Sequence, residues 1–387
     1  MKKLIFISLA LLVAFTDCKK DSSVVTNDYK YTPPAKYSDG IEASTLASEG
    51  IDEDLIAGMM DEINSRSGHA IHNILILRND RLVFEEYFEG YKLDWESPDL
   101  KGEIMQYSRE TDHFMASVTK SVTSVIAGVA IQLGYLTDLN KKIVDYFPEY
   151  SGIMTGGKAD ITIENLLTMR SGLAFDESTY LYNDPRSDTY KMIHSDDPIA
   201  YVFSKPMTTT PGTHFFYNTG TTNVLAAIIE KESGMGFLDF SNTYLFDPLQ
   251  TEGGLWLTMG NGLPMASGGI YLRARELAKI GLLFLNHGQW EGKQIISDDW
   301  ISISQYPHVA ATNYIPNTSY GYQWWIKNYT IKGTSHRCFF GAGWGEQYLF
   351  IIPDFNMIVE FNSGYYTGTN NISPFDLMEN YILRAIH

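Results

Sequence analysis

Cysteine is almost missing. The chain of 387 residues holds two, Cys18 and Cys338, so no disulfide framework can carry the fold and stability has to come from a hydrophobic core. Basic charge is also short. Against 46 Asp and Glu there are 29 Lys and Arg, a formal charge of −17, which repels phosphate backbones and argues against a nucleic-acid partner. The apolar run at residues 4–15 is too short for a permanent membrane span. There is no internal repeat and no G-x-S-x-G. In "TMRSGL", Arg170 precedes Ser171, so the nucleophile elbow of an α/β-hydrolase is unsupported. What is present is ordinary globular material, 44% hydrophobic and 19% charged, enough for one large domain or two intimate ones.

The opening "MKKLIFISLALLVAFTDCKK" reads as an export signal, a short basic region followed by an apolar run. Its end resembles a bacterial lipoprotein signal, with Cys18 as the lipid-modified residue. Asp17 stands where such signals prefer a small side chain, and secretion with a different cut is the alternative. An exported bacterial protein of the cell envelope is expected, touching the membrane only through a lipid on Cys18 (signal at residues 1–18). Residues 19–48 are rich in Ser, Thr, Asp, Tyr and Pro without hydrophobic periodicity, and are expected to form a flexible tether. Residues 49–387 form the folded domain.

Helical spacing of apolar residues marks "IDEDLIAGMMDEINSR", "TNVLAAIIEKESG" and "RARELAKIGLLFLNHG", the last two stopped by Gly. Two β-like runs flank Asn79-Asp80, a hairpin signal. Near the end "YGYQWWIKN", "EQYLFIIP" and "NMIVEFNSG" return to β patterning before an amphipathic "SPFDLMENYILRAI". Strands at both ends with helices between predict an α/β (α+β) fold. One antiparallel sheet is built from both chain ends and flanked by helices, with an all-helical region inserted.

One lysine stands out. In "FMASVTKSVTSVIAGVAIQLGY", Lys120 is the only charged residue, and a lysine is costly to bury unless its ammonium reaches water. Residues three apart share a helix face, so Ser117 and Lys120 can set hydroxyl and amine side by side. Gly134 marks the helix end, which puts Ser117 in the first turn. There the helix dipole and apolar packing both press the amine toward its neutral form, as a general base requires. The free Ser117 N–H can face a developing oxyanion. S-x-x-K alone is weak, since a capping serine and a snorkelling lysine give the same letters.

The surrounding blocks are more specific. "SVTKSVTSVIAGVAIQLGYLTDLNKKIVDYFPEY" closely resembles the nucleophile helix and following loop of the serine β-lactamase and penicillin-binding-protein superfamily. The similar branch holds class C β-lactamases, D-aminopeptidase-like enzymes, related esterases and 6-aminohexanoate-dimer hydrolases. "ITIENLLTMRSGL", "PGTHFFYNTGTTNVLAAIIEKESG", "SGGIYLRARELAKIGLLFLNHGQWEGKQIIS" and "FGAGWGEQYLFIIPDFNMIVEF" continue it in family order. The resemblance implies a β-lactamase/transpeptidase-like fold with Ser117 as acylated nucleophile, Lys120 as proton acceptor and Tyr217 as the tyrosine that passes protons. It places Thr219 where lactamases carry Asn, and Gly341 and Gly343 where they carry Lys-Thr-Gly. Trp344 N–H is implied as the second oxyanion donor. Without a cation to clamp a β-lactam carboxylate, efficient penicillin hydrolysis is not expected.

The expected function is therefore a serine hydrolase of small esters or short amides. A peptidoglycan-directed D-amino-acid peptidase or weak β-lactamase is the alternative, and a non-catalytic surface binding protein is a third. No cofactor or metal is expected. His69 and His72 have the spacing of two ligands, yet their segment leads into a strand and lacks acidic or thiol partners. "GAGWGE" precedes a strand where a dinucleotide fingerprint needs a helix. The aromatics of "SYGYQWWIKNY" could line an acyl pocket, although aromatic runs on strands are more often core.

Overall fold

The computed structural model describes residues 28–251, 254–368 and 372–387. Cys18 and the expected export signal lie outside them. Period-two alternation organises the sheet. In β2 (Ile71–Arg78), Ile74 and Ile76 join one hydrophobic cluster while Leu75 and Leu77 join another, so both faces are covered. Its partner β3 (Arg81–Tyr87) follows a two-residue turn in which Asn79 (φ 52°) and Asp80 (φ 63°) are both left-handed. That geometry matches strand twist, and Asn and Asp tolerate it.

Six strands from the last quarter of the chain complete the sheet. They are β4 (Val309–Ala310), β5 (Ser319–Tyr320), β6 (Trp325–Ile331), β7 (Thr334–Gly343), β8 (Gln347–Ile352) and β9 (Met357–Ser363). With β1 (Glu42–Ala43) the order is β1-β3-β2-β9-β8-β7-β6-β5-β4, antiparallel except for the β1/β3 pair. β2 meets β9, joining the two chain ends as the patterning predicts. On one face lie α1 (Glu53–Ser65) and the C-terminal helical segment, through Ile56, Met59, Leu377 and Met378. On the other lie α2 (Val118–Gln132) and α4 (Ala274–Leu285), and α3 (Thr219–Ser233) belongs to the inserted helical region.

α2 is buried from Val118 to Ala130. Its small hydroxyls are satisfied by carbonyls of neighbouring segments: Ser121 Oγ donates to Gln323 O (2.7 Å), Thr123 Oγ1 to Ala266 O (2.6 Å) and Ser124 Oγ to Tyr322 O (2.6 Å). An all-buried helix otherwise has no room for polar groups.

One expectation needs correction. From Tyr29 onward the segment expected as a tether packs on the domain. Tyr31 Oη donates to Val83 O (2.7 Å), Tyr29 N to Asp61 Oδ1 (2.8 Å), and Arg275 holds Asp39 (2.9 Å). Sparse aromatics docking on a preformed surface leave no periodic trace. "YGYQWWIKN" is β at both ends, as its patterning predicts, with a turn inside it. The chain breaks between β5 and β6 at Gln323 (φ 65°), whose Nε2 donates to Leu166 O and Leu167 O. Trp324 packs in the core, and Tyr320 and Trp325 lie beside Tyr217.

Candidate active site

The chain enters α2 through a strained residue. Ala116 has φ 44°, a left-handed conformation that costs an alanine about 1–2 kcal/mol. Its carbonyl accepts from Thr119 N (3.1 Å) and Thr119 Oγ1 (2.5 Å), which holds the turn. Ser117 follows at the N-cap, one residue before the helix, and its side chain caps nothing. The hydroxyl is left for Lys120 and Tyr217. The Ser117 N–H has no acceptor among the described residues.

Lys120 does not snorkel. It is 1% exposed, and its Nζ lies 2.9 Å from Ser117 Oγ and 2.7 Å from Ser267 O. Burial lowers its pKa from 10.5 to about 8, and the Glu177 carboxylate opposes the fall. About a tenth of the amine is then neutral at pH 7. Tyr217 lies beside Ser117, and its ring centroid is 4.9 Å from Lys120 Nζ. Burial pushes the Tyr217 phenol well up, reinforced by Tyr320 and Glu177. It therefore rests as a phenol and not as a phenolate. The two groups differ usefully, since a fraction of the amine is free to accept a proton while the phenol keeps its own.

The α3 N-terminus presents Tyr217. Asn218 is the N-cap, accepting from Thr221 N (3.3 Å), and it points away from the serine's partners. Thr219 lines the cavity, but its hydroxyl donates to Glu177 Oε2 (2.6 Å) and its N–H bonds to the same carboxylate. Sequence reasoning missed Glu177, which is in a loop and has no spacing relation to Ser117. Ser267, whose carbonyl receives Lys120, was missed as well, although it lies inside a block that carried the resemblance.

β7 closes the other side. A Cβ on Gly343 would lie 2.5 Å from Met115 O, and one on Gly341 would lie 3.1 Å from Ser121 Oγ and Val118 Cγ1. Both glycines let the strand approach the start of α2, and neither offers a cation. Beyond them Trp344 lines the cavity, and its N–H has no acceptor among the described residues. The cavity, about 590 Å³, opens at Ser117 between Trp95, Phe114, Tyr182 and Leu257. Trp344 packs on Trp95 and Tyr182 with ring centroids 5.8 and 5.0 Å away. His72 is not among the residues lining this cavity. It is buried on β2, with Nδ1 2.8 Å from His113 Nε2.

Comparison with known proteins agrees with this geometry. The chain is 25% identical over 303 residues to the 6-aminohexanoate-dimer hydrolase of Paenarthrobacter ureafaciens, covering 73% of this chain and 71% of that one. EstCE1, a hydrolase with promiscuous acyltransferase activity, superposes with a TM-score of 0.66 at 16% identity over 86% of this chain and 98% of its own. A family VIII carboxylesterase superposes with a TM-score of 0.63 at 14% identity, over 88% and 98%. Those two likenesses show the fold. Residues 54–363 match the Beta-lactamase family, and with most of its length inside that match the chain belongs to this family of serine hydrolases.

Proposed function

We propose that the protein hydrolyses small, uncharged esters or short amides through an acyl-enzyme on Ser117. The observation that carries this reading is the buried Lys120 amine, 2.9 Å from Ser117 Oγ. A serine hydroxyl is a weak nucleophile at neutral pH and needs such a base. Ser117 Oγ attacks the carbonyl carbon while its proton passes to Lys120 Nζ. The resulting oxyanion is met by the N–H groups of Ser117 and Trp344. The C–O or C–N bond then breaks, and the leaving oxygen or nitrogen takes a proton from Tyr217, which Lys120 resupplies. Water, activated in the same way, releases the acid and restores the serine.

The walls support the choice of substrate. Trp95, Phe114, Tyr182 and Trp344 offer aromatic surface, and no Lys or Arg is among the residues lining the cavity. An aryl or alkyl acyl group gains from burial there, whereas a carboxylate meets no Lys or Arg among the lining residues. The relative named for 6-aminohexanoate dimer keeps amides among the candidates.

Ser117→Ala is expected to lower p-nitrophenyl butyrate hydrolysis by more than about 10³-fold with unchanged thermal unfolding. A fluorophosphonate adduct should map to Ser117 by mass spectrometry in the native chain. Undiminished turnover in the alanine variant overturns the mechanism.

A further inference from the structure

Glu177 sits before the short helix Asp188–Ile193, in a loop no motif singles out. Its two oxygens are both taken by Thr219, one by the backbone N–H and the other by the hydroxyl. Thr219 opens α3, two residues after Tyr217. The carboxylate therefore ties the Tyr217 turn to the loop that carries Glu177. It also supplies negative charge that acts on Lys120; burial raises the Glu177 carboxyl, and Lys120 together with the two Thr219 bonds opposes that rise.

We propose that Glu177 is a positioning residue: it holds the Tyr217 turn in place through Thr219 and stabilises the ammonium formed when Lys120 takes the Ser117 proton. The proposal rests on the acyl-enzyme reading. The charged and titratable groups around the pair are few. Glu177 is bonded to Thr219 and lies within electrostatic reach of Lys120, with Tyr182, Tyr217, Tyr314, Tyr320 and Asp188 in its field. Asp188 is itself held by Lys205 (2.6 Å) and Tyr201 (2.6 Å). Lys120 touches Ser117 and Ser267 O and lies against the Tyr217 ring. Glu177 is thus the carboxylate positioned to balance the cation that each turnover creates.

Two consequences have opposite signs. The negative charge keeps a proton on resting Lys120, which leaves less free amine at low pH. It also favours the transition state in which that proton arrives, which raises the plateau at high pH. Glu177→Gln keeps an amide oxygen for Thr219 and removes the charge. The kcat/KM of the Gln variant for p-nitrophenyl butyrate should fall at the plateau, while its acid limb moves to lower pH. The ratio of variant to wild type is then expected to rise as pH falls between about pH 9 and pH 6. The rate of fluorophosphonate labelling of Ser117 should follow the same trend.

Thr219→Val keeps the charge but loses the hydroxyl bond, so it should lower the plateau and leave the acid limb in place. A pH-independent ratio in a Gln variant that unfolds at the wild-type temperature would falsify the proposal. If the Gln variant does not fold, a displaced acid limb in Thr219→Val would overturn it equally. These results are separable from failure of the acyl-enzyme reading, which would show as turnover surviving Ser117→Ala.

Discussion

At the scale of the residue, the reactive amine is a liability for stability. Lys120 has a pKa of about 8 in the fold against 10.5 when unperturbed, so between those values the unfolded chain binds more protons than the folded one. Stability therefore rises with pH across that window, and the penalty is fully present below about pH 8. Lys120→Met removes the charge and largely keeps the volume. It should end turnover and raise the unfolding temperature at pH 7 by about 2–5 °C, with a smaller gain near pH 10. Thermal scans at both pH values check this, and a fall in unfolding temperature at pH 7 would contradict it. The Ser117 and Lys120 pair was legible in the sequence because its geometry is local: three residues along one helix bring the groups together. Glu177 was not legible, because it reaches Thr219 from 42 positions away and no periodicity records such a meeting.

At the scale of the element, the approach of β7 to the start of α2 sets the width of the site. Adding a methyl at Gly343 puts a carbon 2.5 Å from Met115 O and 3.0 Å from Gln347 Cβ. Backbone on one side and a packed strand neighbour on the other leave it nowhere to go. Gly343→Ala should destabilise the protein by about 1–3 kcal/mol and lower kcat as the strand is pushed from Ser117. Gly341→Ala, with its nearest contacts at 3.1 Å, should be milder on both counts. Denaturant melts and p-nitrophenyl butyrate kinetics compare the two, and equal effects would show that strand spacing is not the cause. Alternation and caps made most of these elements readable. The glycine-ended helix α3 and the Asn79-Asp80 hairpin formed as expected. The break between β5 and β6 was hidden, because a continuous aromatic run gives no local sign that Gln323 will turn away to bond Leu166 and Leu167.

At the scale of the whole molecule, a buried cation joins Tyr29 and Tyr31 in fastening the N-terminal arm. Arg275, 3% exposed at its side chain, donates to Glu85 through Nε (2.8 Å) and Nη2, to Asp39 (2.9 Å) and to Ala35 O (3.1 Å). Arg275→Met leaves the Glu85 carboxylate buried without its partner, a loss of about 3–5 kcal/mol. Limited proteolysis should then cut within residues 28–41 before the rest of the domain, and equal protection in variant and wild type would show that the arm is held by other contacts. Sequence alone determined most of the elements, the sheet built from both chain ends and the Ser117 and Lys120 pair, because propensity, alternation and i,i+3 spacing act over a few residues. Tertiary structure alone decided that Ser267 and Glu177 complete the surroundings of Lys120, and that residues 28–48 dock. Those outcomes depend on which distant surfaces are complementary, a property that no short window of sequence contains.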